Sequence, residues 1–279
     1  MQRGGYYRHS GIAPPFGVAA SLIVGTVLAP FLGAAYGYLD KWCPSVYLNI
    51  FLTCCSAALG GWIVGKVAYR GKLRNLWFVT LIALWSGLIT YYTSWISWLY
   101  ALSDGQLLAL FPSTIVQAAK MLAVEGVWSV KGTTPTGGWL YTCWAVEALL
   151  ILGCFVATAR QQIAAPFCDA CQQWTGKVRP LANFHPQPDQ GAELKRRLES
   201  EDYSCLDRLE QICMDDEPQH YMRFGLVNCS CGQLNLLKVE TVKNSLDSKG
   251  NHEREVRTVI EHLHLNPRGL EELLTLAPS

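Results

Sequence analysis

Charged residues are scarce in this sequence and make up 16% of its 279 residues, against about 25% in ordinary soluble domains. Because half of the residues are hydrophobic, the composition excludes an intrinsically disordered chain. A formal net charge of +1 excludes nucleic-acid binding driven by bulk positive charge. Eleven cysteines spread over a chain of this length do not fit a small disulfide-stapled protein.

The few charges are unevenly distributed. Residues 1–159 contain nine Lys and Arg and four Asp and Glu, whereas residues 160–279 contain fourteen and eighteen. Nine of the ten Trp also precede residue 160. This division predicts an α-helical membrane protein, in which a four-helix transmembrane bundle over 1–159 carries a small water-soluble domain over 160–279.

Four apolar runs are long enough to cross a bilayer, which takes about 20 residues per helix. They cover residues 16–39, 46–64, 76–99 and 139–158. The first run is longer than the apolar region of a signal peptide, so we predict a span there too. None of the four has the polar face of a helix packed on a soluble core.

Basic residues set the expected orientation, because Lys and Arg concentrate in cytoplasmic loops. Six basic residues lie at the N-terminus and between spans two and three: Arg3, Arg8, Lys66, Arg70, Lys72 and Arg74. The connection over 40–45, between spans one and two, contains one Lys and one Asp and is expected outside. With four spans, the N-terminus and residues 160–279 are both expected in the cytoplasm.

The connection over 101–138 allows an alternative topology, because residues 107–130 are apolar enough to form a fifth span. Pro112, Gln117, Lys120 and Glu125 interrupt that stretch. Pro112 is instead typical of a helix start, and the apolar face that follows it predicts a short interfacial helix on the outer surface.

One ionisable residue, Glu147, lies within a predicted span. Such a residue is expected to face the bundle interior and to have a polar partner. Counting depth from the outer membrane surface places Tyr91 and Tyr92 level with it. Two interpretations remain open: a protonatable or ligand-binding site, or a carboxyl group hydrogen-bonded to a tyrosine that holds the helices together. Two glycine pairs, Gly33/Gly37 and Gly61/Gly65, predict two different close helix contacts.

Two short-spaced cysteine pairs stand out in the second domain. Cys168 and Cys171 frame two residues, and Cys229 and Cys231 frame one. Four thiolates in two such turns predict a tetrahedral zinc site, with Gly232 allowing the tight second turn. A disulfide, an iron or iron–sulfur centre, and inert thiols are the alternatives.

The rest of this domain predicts a small α+β fold. Cys205 and Cys213 are expected in the core, and His185 and His220 on the surface. Nucleic-acid binding is disfavoured, because residues 160–279 carry a net charge of −4.

Asn266 and Pro267 are typical of a helix start. The predicted elements are helices over 191–198 and 202–213, strands over 221–227, 234–242 and 256–265, a turn at 247–250 and a last helix after Asn266.

The motifs around Trp128, Trp139 and Glu147, together with the two later cysteine pairs, resemble a pattern in another group of proteins. These are uncharacterised bacterial multi-span membrane proteins with a four-cysteine, zinc-ribbon-like cytosolic tail. The resemblance implies a bacterial inner-membrane location and supports the architecture and the position of Glu147. It implies no reaction.

Three functions fit these features. The first is a membrane-anchored interaction or assembly protein that binds a protein partner or a second copy of itself. The second is a small transporter or channel component that uses Glu147. The third is a membrane redox protein that uses the four paired cysteines. No nucleophile–base pair occurs in the spans, which favours a function without catalysis.

Overall fold

A computed structural model describes residues 5–43, 45–129, 132, 134–186, 189, 191–212, 218–246 and 252–276. The chain divides into two compact units. One unit is Ser10–Ala164, and the other combines Met1–His9 with Ala165–Ser279. The predicted boundary at residue 159 therefore lies five residues further along the chain, and the N-terminal residues belong with the second unit.

The first unit consists of helices. They are α1 (Pro15–Asp40), α2 (Val46–Arg70), α3 (Leu76–Leu102), α4 (Pro112–Glu125) and α5 (Gly137–Gln162). Four of them, all except α4, are long and apolar enough to cross a membrane. The prediction of four such helices is confirmed. Each extends a few residues beyond its apolar run, because helical hydrogen bonding continues through the polar ends.

Helix α1 carries a stripe of small side chains, and it packs against α3 through the part of this stripe from Gly25 onward. The stripe recurs at every fourth residue and is buried throughout: Gly17, Ser21, Gly25, Ala29, Gly33 and Gly37. A Cβ atom on Gly33 would collide with the backbone carbonyl of Thr90, and one on Gly37 with that of Ser94. The two helix backbones therefore lie in direct contact, as small residues at this spacing permit.

Helices α2 and α5 make the second close contact. A Cβ atom on Gly61 would collide with the backbone of Phe155, and one on Gly65 would crowd the backbone of Ala159. The prediction that the two glycine pairs serve different helix contacts is confirmed.

The connection over 101–138 contains the short helix α4, which begins at Pro112 as predicted. Its 14 residues are too few to cross a bilayer. Its predicted apolar face is also correct, because Ala118, Ile115 and Leu122 pack with Leu99 of α3. An interfacial position for α4 stays a prediction.

The second unit is built on a four-stranded antiparallel sheet. Its strands are β3 (Arg179–Phe184), β4 (His220–Asn228), β5 (Asn235–Leu246) and β6 (His252–His264), in the order β3-β4-β5-β6. A two-stranded hairpin, β1 (Phe167–Cys168) and β2 (Gln173–Trp174), precedes them. Helices α6 (Ala192–Glu199) and α7 (Pro267–Thr275) complete the unit.

The predicted strands over 221–227, 234–242 and 256–265 are confirmed as β4, β5 and β6. Strand β3 has no counterpart in the prediction, because Pro180 interrupts its pattern. Proline is accepted in an edge strand, and β3 lies at the edge of the sheet. The predicted turn at 247–250 and Cys213 lie outside the described residues.

The helix predicted over 202–213 is correct over about half of its length. Among the described residues 202–212, Tyr203–Arg208 is helical, and it is a 3-10 turn. Its start is correct, since the Asp202 side chain accepts a hydrogen bond from the backbone N–H of Ser204. The chain leaves the helix at Leu209 because Ile212 donates a backbone hydrogen bond to Asn183 in β3.

One face of the sheet, together with α6 and the 3-10 turn, encloses the main hydrophobic core. Phe184 and Phe224 form its centre, with their rings 4.9 Å apart, edge to face. Helix α7 contributes Leu273, and the Asn266 side chain caps this helix by accepting from Gly269 N–H. The predicted helix start at Asn266 and Pro267 is therefore correct.

Residues 5–9 form an arm along the free edge of β6. Tyr6 pairs with Leu263 as an antiparallel bridge, and Tyr7 N–H donates to the carbonyl of His262 over 2.8 Å. The Tyr6 hydroxyl donates to Glu199 on α6 over 2.6 Å. Burial and this contact raise the pKa of Tyr6. The arm thus covers a sheet edge that would otherwise expose unpaired backbone groups.

Candidate metal centre

The first cysteine pair lies in the β1–β2 hairpin. Phe167 pairs with Trp174 across the hairpin, and their rings are 5.0 Å apart. Gln172 adopts a φ of +56°, which lets the four residues between the strands turn tightly. The backbone N–H of Phe167 donates to the hydroxyl of Tyr7 over 2.9 Å. The N-terminal arm therefore helps to hold this cysteine-bearing turn.

The second cysteine pair lies where β4 turns into β5. Cys229 N–H donates to the carbonyl of Leu234 and Gly232 N–H donates to the carbonyl of Cys229, which closes the turn. Gly232 adopts a φ of +71°, a conformation that glycine reaches without strain. Leu234 N–H points at the sulfur of Cys229 over 3.2 Å. The tight turn predicted around Gly232 is therefore correct.

The fold brings all four sulfurs together. The Sγ atoms of Cys168, Cys171, Cys229 and Cys231 lie within 4.8 Å of one another. A tetrahedral zinc ion with Zn–S bonds of about 2.3 Å holds its sulfurs about 3.8 Å apart. The Sγ separations of 3.6 Å for Cys168–Cys231 and 3.1 Å for Cys229–Cys231 are both somewhat shorter than that value. The four thiols form a cluster that could hold a metal ion.

The same distances argue against a disulfide within the cluster. A disulfide needs sulfurs about 2.05 Å apart, and the four cysteines are free thiols. Cys168 and Cys229 are buried, with 2% and 6% of their surfaces exposed, whereas Cys231 is exposed. One side of the cluster therefore faces the domain interior and the other faces solvent.

The cluster places its thiols in unequal environments. Burial and hydrogen bonding among the sulfurs raise the pKa of Cys168 to about 12. Burial acts in the same direction on Cys229, but hydrogen bonds from Cys231 and from Leu234 N–H outweigh it and lower the pKa to about 6. The lowered pKa of Cys229 favours its thiolate form, which is the protonation state that binds metal.

The other predicted core and surface residues lie away from this cluster. Cys205 is buried in the main core and donates to the carbonyl of Asp202 over 3.2 Å. His185 and His220 are exposed, as expected.

The first unit contains a second polar arrangement, around Glu147. The Tyr36 hydroxyl on α1 donates to the Glu147 carboxylate on α5 over 2.6 Å. It also lies 2.8 Å from the Thr53 hydroxyl on α2. Three helices therefore meet at one tyrosine hydroxyl.

The tyrosines predicted as partners of Glu147 use their hydroxyls elsewhere. Tyr91 donates to the carbonyl of Trp144 over 3.2 Å, and Tyr92 donates to the carbonyl of Leu110 over 2.6 Å. Depth counting missed Tyr36 because it lies about one turn before the end of α1, whereas Glu147 lies ten residues after the start of α5. Its place beside Gly33 and Gly37, on the buried face of α1, is the signal that identifies it.

No protein-family model, curated protein or solved structure matches this chain. The two sites are therefore interpreted from their own geometry, and the resemblance to the bacterial membrane proteins stays a prediction.

Proposed function

We propose that this chain is a membrane-anchored interaction protein whose second unit is stabilised by a structural zinc ion. The observation that carries this proposal is the approach of four cysteine sulfurs, from two turns, to within 4.8 Å of one another. Four protein ligands fill a tetrahedral coordination sphere, whereas catalytic zinc sites keep one position open. A closed site fixes structure and leaves no position for a substrate.

The ion would join the β1–β2 hairpin to the β4–β5 turn. In the part of the chain that the structure describes, these two segments share a small hydrophobic cluster, whose buried members are Cys168, Val227, Cys229, Leu234 and Leu236. A metal ion would therefore supply much of the rigidity at this end of the domain. We place the binding surface for a protein partner, or for a second copy of the chain, at this end.

Elemental analysis of the purified full-length protein tests the metal. We expect stoichiometric zinc, its loss in Cys168→Ser, and its retention in the matched variant Cys205→Ser, which alters a buried thiol outside the cluster. Iron with visible absorbance would instead support the redox alternative, and no bound metal would refute the zinc assignment.

Crosslinking in intact membranes then tests the interaction. We expect a defined crosslinked species in the unmodified protein and in Cys205→Ser, and its loss in Cys168→Ser. A monomer without any crosslinked species, or a species that survives Cys168→Ser, would contradict a binding surface at the metal-stabilised end. The bacterial inner membrane, with both termini in the cytoplasm, is the location we propose.

A further inference from the structure

A cavity of about 520 Å³ opens within the helical unit, at the end that carries the α1–α2 turn. Its walls come from α1, α2, α3 and α5 and from the segment that follows α4. Ligand sites for small molecules commonly measure about 300–1,000 Å³. The cavity is therefore large enough for an organic molecule.

Two carboxylates line this cavity, Asp40 and Glu147. Neither forms an ion pair with any residue in the part of the chain that the structure describes. The cation on the wall, Lys41, pairs with Asp104 over 2.8 Å and also donates to the carbonyl of Ala101. The carboxylates are thus available to a positively charged guest.

Aromatic side chains form much of the remaining wall. They are Tyr36, Trp95, Trp98, Trp128, Trp139 and Trp144. The Trp95 ring lies 5.5 Å from that of Trp98 and 5.0 Å from that of Trp144, both edge to face. Tryptophan faces attract organic cations through their π electrons, and they also cover apolar groups.

Glu147 retains hydrogen-bonding capacity on this wall. Its Oε1 accepts from Tyr36, and a carboxylate has two oxygens with about four acceptor sites. Asn49 and Thr53 add polar groups nearby. Negative charge, aromatic faces and free acceptor sites therefore converge in one cavity.

From this combination we propose that the cavity binds an organic cation, a positively charged group attached to an apolar body. Two carboxylates repel an anion of the same shape. A neutral apolar molecule gains nothing from the carboxylates and leaves them without a counterion. The guest is either a small soluble cation or the ammonium headgroup of a lipid, since both present the same chemistry. This site is independent of the proposed metal-stabilised interaction surface.

Equilibrium binding of radiolabelled tetraphenylphosphonium tests the proposal, with the full-length protein in nanodiscs of phosphatidylglycerol and empty nanodiscs as background. We expect saturable binding that weakens by about tenfold or more in Glu147→Gln, as loss of a charged partner in a dry site does. Glu125→Gln makes the same chemical change at an exposed residue outside the cavity and should bind like the unmodified protein.

Two further measurements keep the result interpretable. Trp128→Leu alters the aromatic wall and leaves the Tyr36–Glu147 bond in place, so weaker binding by this folded variant supports the site even if Glu147→Gln misfolds. Tetraphenylborate has the same shape and the opposite charge, and we expect no saturable binding. Equal saturable affinity for both ions, or unchanged binding by folded Glu147→Gln, would overturn the proposal.

A competition experiment with a lipid distinguishes the two sources of the cation. The binding of tetraphenylphosphonium is measured again in nanodiscs that also contain phosphatidylcholine. Weaker binding in these nanodiscs would support the cation site and assign it to a lipid headgroup. Unchanged probe binding there would support a soluble guest.

Discussion

The sulfur of Cys168 lies 3.6 Å from the sulfur of Cys231, although 63 positions separate the two residues in the chain. The contact joins the β1–β2 hairpin to the β4–β5 turn at one end of the sheet. The main core lies elsewhere in the domain and contains sixteen buried side chains, against five in the cluster around the cysteines. The end of the domain that carries the four cysteines can therefore lose stability while the main core stays folded.

This separation predicts a local effect of metal removal. A chelator should accelerate hydrogen exchange in residues 167–174 and 229–235, because these turns would lose the zinc ion that we propose joins them. The middle of β4 and β5 should keep its protection, since Phe224 and Val239 lie in the main core. Hydrogen exchange with mass spectrometry checks this, and equal acceleration across the whole sheet would contradict it.

The hydroxyl of Tyr36 is predicted to stabilise the helical unit. Tyr36→Phe removes the donor to Glu147 and the contact with Thr53. We expect a loss of about 1–3 kcal/mol in the free energy of unfolding, since the carboxylate accepts a charge-assisted hydrogen bond. Unfolding in mixed micelles measures it.

Tyr92→Phe is the matched control for that experiment. Its hydroxyl donates to the carbonyl of Leu110 in an exposed position, so its loss should matter less. Equal effects of the two substitutions would show that the bond between Tyr36 and Glu147 contributes little.

Packing between α1 and α3 gives a third prediction. A Cβ at Gly33 would collide with the backbone carbonyl of Thr90, which cannot move independently of α3. Gly33→Ala should therefore destabilise the helical unit by about 1–3 kcal/mol, as overpacking does. Gly153→Ala on α5 is the control, because a Cβ there meets nothing within 4 Å. Thermal unfolding in detergent compares the two, and equal midpoints would contradict direct backbone contact.

The sequence predicts most of the architecture because apolar length and charge distribution are local properties. Long apolar runs with at most one charged residue locate α1, α2, α3 and α5, and the two cysteine pairs locate the candidate metal centre. The arm at Tyr6 and Tyr7 could not be predicted in this way. Its pairing with β6 joins residues at opposite ends of the chain, and no local pattern encodes that contact.

The same limit applies to Tyr36 and β3. Depth counting treats a side chain as a point at its Cα, and it therefore missed Tyr36, whose hydroxyl donates to Glu147 on another helix. Strand β3 contains Pro180 and has no clear alternation. Its pairing with β4, in which Asn183 lies opposite Arg223, stabilises it more than its own sequence does.

Glu240 gives a prediction about pH. It accepts from Arg223 over 2.5 Å and pairs with Lys238 over 2.6 Å, and 11% of its side chain is exposed. Burial acts to raise its pKa, but the bonds from Lys238 and Arg223 outweigh burial and lower the pKa below the usual 4.5. A carboxyl whose folded pKa is lowered stabilises the fold above its unfolded pKa, and this contribution disappears as pH falls through the folded value.

Glu240→Gln should therefore destabilise the second unit at neutral pH by about 1–3 kcal/mol. The difference from the unmodified protein should shrink below pH 4.5. Glu255→Gln, on the exposed part of β6, should show a much smaller difference at every pH. Urea unfolding at several pH values measures both, and a difference that grows on acidification would show that the charge destabilises the fold.

The arm along β6 makes a prediction about membrane sidedness. Backbone hydrogen bonds join Tyr7 to His262, and His264 to Gly5, so the start of the chain and the sheet domain must share one side of the membrane. Maleimide labelling in intact cells tests this with Arg8→Cys, Arg208→Cys and Gln106→Cys, all at exposed positions. The labelling of each variant is measured as the increase over the labelling of the unmodified protein, which contains the native cysteines. Arg8→Cys and Arg208→Cys should show the same accessibility to the maleimide. Gln106→Cys, which follows the third apolar helix, should show the accessibility of the other side of the membrane. Opposite labelling of Arg8→Cys and Arg208→Cys would be incompatible with the arm, because an extended segment cannot pair with a strand across a bilayer.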